Sequence, residues 1–265
     1  MNKLPPKKNL KMKKIKVLYE DSNILAIDKP SGILVHPAPK QAWCGAGPDQ
    51  KTIVDIFKKK YPKLEVAHRL DRETSGVLLL AKNPKAHEFL KNQFSAPALG
   101  LKTKSGLADR QNRINKTYVA IVNGWVKSDR GVINKPIGRS PKDFRRRLSG
   151  RGARGEMREA ITEYKVLKRF TFPPDKGGLR GVESKFTYLE IKPKTGRTHQ
   201  IRVHMKYLNH PVVCDSLYNP NNPCPKGFKR LALHAKSIEF KNLKGEMVKV
   251  ESAIPKEFTN IFILN

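Results

Sequence analysis

Apolar and polar positions change over in short blocks along this chain, and most of the blocks have the period or the density of strands. IKVLYED at 15–21 and NILAIDKP at 23–30 predict two strands, parted by the turn-prone Asp21, Ser22 and Asn23. GVLLLAKN at 76–83 predicts another, and KTYVAIVNGWV at 116–126 is dense enough in β-branched and aromatic residues for a strand buried on both faces. AITEYKVLKRF, SKFTYLEIKP, LALHAKSIEF and GEMVKVESAI complete the set. Helical spacing is rarer. In TIVDIFKKKYP, Ile53, Ile56 and Phe57 share a face. After Asn83, which suits a cap, and Pro84, which suits a first turn, KAHEFLKNQF puts Ala86, Phe89, Leu90 and Phe94 on one side. Thr198 is placed to cap HQIRVHMKYL, whose Ile201, Met205 and Leu208 face a core. A short helix ends the chain. Strands dominate without βαβ regularity, which predicts an α+β fold with a mixed, mainly antiparallel sheet flanked by helices.

Several segments fall outside the pattern. Residues 1–14 are a basic, Pro-containing stretch expected to be a flexible arm, and 41–51, 95–115 and 171–181 are expected to be loops. RSPKDFRRRLSGRGARGEMR at 139–158 holds seven arginines and several glycines among few large apolar residues, which predicts a flexible loop or hairpin tip. Given the overall charge, it suits contact with phosphates better than a merely solvated run of charge.

Composition narrows the function. With 54 Lys and Arg against 23 Asp and Glu, the formal charge is +31 at pH 7, a surplus that attracts polyanions. Charge alone does not separate DNA from RNA, or an enzyme from a passive binder. No apolar run approaches the roughly 18–20 residues of a membrane helix, and no signal-peptide core follows the basic start. A cytoplasmic protein is the expectation. Three cysteines, Cys44, Cys214 and Cys224, cannot all pair, which argues against a disulfide framework.

Two clusters concentrate polar chemistry. HRLDRETSG at 68–76 sets an acid among basic groups just before an apolar strand, an arrangement that serves catalysis or a structural ion-pair network. TGRTHQIRVH at 195–204 carries His199, Arg202 and His204 behind a Thr-Gly turn. Histidines at i and i+5 do not share a helix face, and no carboxylate or cysteine stands at ligand spacing, so zinc is a poor reading and no metal is expected. His36, His87, His210 and His234 are expected to be structural.

In order along the chain, DKPSGILVHP (28–37), HRLDRETSGVLLLAKN (68–83), KTYVAIVNG (116–124), KPIGR (135–139), TGRTHQIRVHMKYLNHPVVCD (195–215) and RLALHA (230–235) resemble the RluA/RsuA-type RNA pseudouridine synthase family, its RluA branch in particular. The resemblance implies that family's catalytic fold with RNA-gripping loops over 15–265. It implies isomerisation of specific uridines in ribosomal or transfer RNA, with the base flipped into a pocket and no cofactor. Asp71 matches the catalytic aspartate, Tyr118 the tyrosine that stacks on the base, Arg202 the arginine that pairs with the aspartate, and Arg69 the arginine that helps displace the base. Asp71 either attacks C1′ to form a glycosyl ester or promotes elimination to a glycal, and both routes stay open. The small S4 RNA-binding domain that many relatives carry is not expected here. The basic arm and the Arg-rich segment are expected to replace it electrostatically. A stem-loop RNA is the expected partner, with no membrane, no obligate protein partner and a monomeric state. The usual Gly-Asp and Tyr-Gly are here Cys214-Asp215 and Tyr218-Asn219, departures that touch local turns. A passive RNA-binding or ribosome-assembly factor is the alternative, which an intact Asp71, Tyr118 and Arg202 set argues against.

Overall fold

A computed structural model describes residues 15–37, 51–95, 102–103, 106–107, 113–150, 152–172, 184–222, 224–225 and 228–260. The basic arm, most of the 41–51 and 171–181 loops, and Cys44 lie outside them. The first half runs β1 (Val17–Glu20), β2 (Ile24–Lys29), α1 (Ile53–Lys58), β3 (Ser75–Ala81), α2 (Pro84–Ser95), β4 (Lys102–Thr103), β5 (Gly106–Leu107) and β6 (Asn115–Asn123). The second half runs β7 (Arg130–Asn134), β8 (Ile137–Arg139), β9 (Arg147–Ser149), β10 (Arg154–Arg158), β11 (Ile161–Phe172), β12 (Ser184–Pro193), α3 (Gln200–Tyr207), β13 (Leu233–Lys241), β14 (Met247–Glu251) and α4 (Lys256–Asn260).

Nine strands form one sheet in the order β1-β2-β3-β13-β6-β12-β11-β7, with β14 also paired to β13. Its pairings are antiparallel except that of β3 with β13. The uninterrupted apolar runs of β2 and β3 follow from cover on both faces. Ile24, Ala26, Val77 and Leu79 pack with Ala86 and Leu90 of α2. Leu25, Ile27, Leu78 and Leu80, one residue out of phase, pack with Ile53 of α1. Both helices are capped locally. Thr52 and Asp55 form a reciprocal capping box on α1, and Asn83 Oδ1 accepts from the Ala86 N–H at 2.9 Å. Gln93 is buried in α2 as well, where its amide exchanges two hydrogen bonds with the Lys241 backbone.

Two expectations need correction, and a third is met in one of its two forms. The Arg-rich segment, expected as a loop or a hairpin tip, is a hairpin: β8 and β9 pair antiparallel, and β10 extends them to a three-stranded sheet in the order β10-β8-β9. Ile137 anchors it by packing with Val203 of α3 and Tyr218. The 95–115 interruption contains a small hairpin, β4 with β5. Thr198 does not cap α3. That position belongs to His199, in the left-handed region at φ 56° with no side-chain cap, and the Gln200 side chain instead accepts from Thr195 Oγ1 and the Arg197 N–H.

Candidate active site

Two of the sequence blocks meet beside the parallel β3–β13 pair. Gly76 lies at φ +109°, where a Cβ would collide with the Ala235 backbone of β13. Only glycine permits this approach. It brings Ser75 and His234 within 2.8 Å, Oγ to Nδ1. The turn before β3 carries Asp71 and is strapped by residues 29–32. Lys29 is fully buried, and its Nζ donates to the carbonyls of Pro30, Arg72 and Thr74 at 2.8–3.0 Å. Ser31 Oγ donates to the Glu73 carbonyl at 2.6 Å, and the Gly32 N–H to that of Arg72 at 2.8 Å. Burial pushes the Lys29 amine down to about 7, opposed by Asp71, while three carbonyl acceptors match the three protons of an ammonium. His68 serves the same end, since its Nε2 accepts from the Leu79 N–H at 3.0 Å.

Arg202 reaches this turn from α3, 131 residues away in sequence. Its Nη1 donates to Asp71 Oδ2 at 3.3 Å and its Nη2 to Glu73 Oε2 at 3.4 Å. The shortest bonds go elsewhere. Nε and Nη2 form a two-pronged pair with Asp215, both at 2.7 Å. The expected Arg202–Asp71 pair is therefore present but is the longer of the two, and Asp215 is the group that fixes the guanidinium plane. Asp215 is completely buried and also accepts from the Leu217 and Tyr218 N–H groups. Cys214, before it, takes φ 57° without being glycine. A disulfide joins Cys214 to Cys224, so one pair exists where the sequence argued against a disulfide framework. The bridge closes the segment bearing Asp215 and Tyr218.

The Asp71 side chain keeps 21% of its surface, enough for a ligand to reach it, whereas that of Arg202 keeps 4%. Burial alone would raise the Asp71 pKa, but His199, Arg202 and Arg69 outweigh it and hold the carboxyl below its ordinary value. Burial also pushes His199 below its ordinary value, so at neutral pH it is uncharged and Arg202 does most of this work. For Arg202, the pull of Asp215, Asp71 and Glu73 overcomes a burial that would lower its pKa.

Tyr118 sits on β6, paired with Ala235 and Ile191. Burial first and Asp71 second push its hydroxyl far up, so it stays protonated. Arg69 is exposed at the rim. His199 completes a relay: the Arg147 N–H donates to Tyr218 Oη at 2.9 Å, and that hydroxyl lies 2.9 Å from His199 Nδ1. The hydroxyl accepts from Arg147 and shares a hydrogen bond with Nδ1, and the other ring nitrogen, Nε2, lies 3.9 Å from Asp71 Oδ1. Burial pushes the Tyr218 hydroxyl up to about 12, so it keeps the proton this relay needs. All four sequence candidates thus lie around one site. Asp215, Glu73, Lys29 and Tyr218 were not foreseen; the acid ending the apolar run of VVCD was the signal for Asp215. Among the described residues no group of three or more His, Cys, Asp or Glu side chains is arranged to hold a metal ion.

A sequence model of the RNA pseudouridylate synthase family matches residues 23–207. The chain is 34% identical to the "Ribosomal large subunit pseudouridine synthase D" of Xanthomonas campestris, over 93% of its length and 68% of that protein's. It is 35% identical to the like-named protein of Borreliella burgdorferi, over 95% of the chain and 68% of the relative. Among solved structures it is similar in fold to human RNA pseudouridylate synthase domain containing 1, with a TM-score of 0.67 and 24% identity over 91% of this chain and 84% of that one.

Proposed function

This chain belongs to the RNA pseudouridylate synthase family, which isomerises uridine in RNA to pseudouridine, and from that premise we propose that Asp71 is its catalytic carboxylate, Arg202 the cation that aims it and Asp215 the anchor of that cation. The observation that carries the reading is a partly exposed carboxylate held 3.3 Å from an arginine whose other edge is locked by a second, buried carboxylate. The reaction breaks N1–C1′ and joins C1′ to C5. Attack at C1′ and elimination to a glycal both call for an ionised group at Asp71, and the depressed pKa supplies it at neutral pH. Turning a uridine out of its stack costs a few kcal/mol. Tyr118 offers a stacking face worth roughly 1–3 kcal/mol, and exposed Arg69 is placed to fill the gap left behind. Burial and Asp71 keep the Tyr118 hydroxyl protonated, so it does not start as the base that removes the C5 proton.

The names of the relatives favour large-subunit ribosomal RNA over transfer RNA as substrate. The catalytic unit spans 15–265, acts as a monomer in the cytoplasm without an obligate protein partner, and uses the arm at 1–14 as an electrostatic tether. No helix among the described residues is long and apolar enough to cross a membrane. The test is to incubate protein and its Asp71→Asn variant with total RNA from a strain lacking the gene, then map pseudouridines by chemical-adduct sequencing. New sites with the wild type alone support the assignment. Equal yields from both proteins remove Asp71 from the chemistry.

A further inference from the structure

The small sheet beside the site carries a feature that the uridine chemistry leaves unused. Its strands place Arg147, Arg139 and Arg154 in one row, since Arg139 faces Arg147 across β8–β9 and Arg154 across β10–β8. Like charges directly opposite one another destabilise a sheet. Such a row fits a surface meant to receive a polyanion. With Arg158 and Arg197, Arg139 and Arg147 line a groove of about 460 Å³ whose wall includes Thr198, the neighbour of His199. The one acid in its lining, Glu156, is already engaged by Arg158 at 2.8 Å.

Above the groove, the turn between β8 and β9 is tightly built. Ser140 Oγ accepts from the Lys142 and Asp143 N–H groups. Asp143 accepts from the Arg145 backbone and, in two prongs, from its guanidinium. Arg147 Nη1 donates to the carbonyls of Phe144 and Arg146, both at 3.2 Å. The product of this bracing is Phe144, an aromatic residue left 68% exposed and followed in sequence by Arg145, Arg146 and Arg147. A lone exposed apolar residue needs no explanation. One held on a braced turn that runs on into three arginines and a contact with the reaction centre has one. The Arg147 N–H that follows the turn starts the relay through Tyr218 and His199 to Asp71.

We propose that Phe144 is a stacking platform for an unpaired base flanking the target uridine, with that strand's phosphates in the arginine groove. The occupant is single-stranded RNA because stacking plus phosphate contact without base-edge readout is how such strands are held. The inference rests on the functional reading above only in taking RNA as the ligand of the Asp71 site.

The test measures binding of a short fluorescein-labelled oligouridylate to the full chain by anisotropy across a salt series. Phe144→Ala is expected to weaken binding about tenfold with an unchanged salt slope, and Phe144→Tyr to restore it. Arg139→Ala is expected to reduce the log–log slope by about 0.7 without lowering the melting temperature, because it removes a like-charge neighbour. In Phe144→Trp, unlabelled oligouridylate is expected to quench fluorescence beyond any change seen in the wild type. Wild-type affinity in Phe144→Ala, or no added quenching in Phe144→Trp, overturns the platform. An unchanged slope in Arg139→Ala overturns the groove. Asp71→Asn is carried alongside and is expected to bind as the wild type does. Should that variant keep turnover, the catalytic assignment fails while the binding result stands.

Discussion

Three carboxylates surround one guanidinium, and their distances divide the labour. Asp215 at 2.7 Å is structural, while Asp71 at 3.3 Å and Glu73 at 3.4 Å are held more loosely and face the opening. On the proposed assignment the ionised form of Asp71 is the working form, and its pKa is held below the ordinary 3.8. In the folded protein Asp71 therefore stays ionised as pH falls until that low value is reached. Arg202→Gln removes the opposing charge and should move the acid limb of the kcat profile upward by about 1–3 units; a limb that does not move separates Arg202 from the ionisation of Asp71. Asp215→Asn keeps the shape but releases the guanidinium plane. It should lower kcat by roughly a hundredfold with little change in KM, the signature of misplacement, and steady-state kinetics on a mapped substrate would show it. Asp71, Tyr118, Arg202 and Arg69 were legible because they stand inside blocks of sequence that match a family. Asp215 closes the matched block at 195–215, but its part was not legible, since that comes from complete burial and from a partner thirteen positions away across a turn.

At the level of elements, the turn at 71–74 is held by Lys29 through the Arg72 and Thr74 carbonyls and by neighbouring contacts from Ser31 and Gly32. Lys29→Met fills similar space and leaves the Pro30 and Thr74 carbonyls without the ammonium donor, while that of Arg72 keeps the Gly32 N–H. At about 1–3 kcal/mol for each buried unsatisfied group, urea unfolding should report a loss of about 2 kcal/mol or more. A loss within error of zero would mean that water replaces the ammonium. The strands were readable because burial on both faces writes continuous apolar runs, and α2 because Asn83 and Pro84 mark its start. Two elements resisted reading for physical reasons. β8 to β10 hold too few apolar residues to show a period, and it is Ile137 that packs against Val203 of α3. The start of α3 is set by the Gln200 side chain folding back on Thr195 and Arg197, which leaves Thr198 without the capping role its type suggests.

For the molecule as a whole, the sheet joins segments far apart in sequence. The mixed, mainly antiparallel class followed from strand density, whereas the single parallel pairing of β3 with β13 depends on a close approach at Gly76 that periodicity does not reveal. Two histidines near that pairing are buried in neutral form. Burial lowers His68 to about 3 and His234 to about 4, from an ordinary 6.5. Their folded pKa values are depressed, so the unfolded chain binds more protons below pH 6.5. The stability they permit is complete above that pH and is lost as pH falls toward 4. Each should contribute a slope of about 1.4 kcal/mol per pH unit in that window. Denaturant titrations at successive pH values should show the decline, and His234→Gln should make it shallower.

The central claim is that an ionised Asp71, aimed by Arg202, performs the isomerisation on RNA. Its most direct test is release of tritium from RNA labelled at C5 of uridine, since forming the new bond at C5 expels that hydrogen. Wild-type protein should release tritium, and Asp71→Asn should release none above background while binding the same RNA with equal affinity. Sustained release by Asp71→Asn would contradict the account and place the chemistry on another residue.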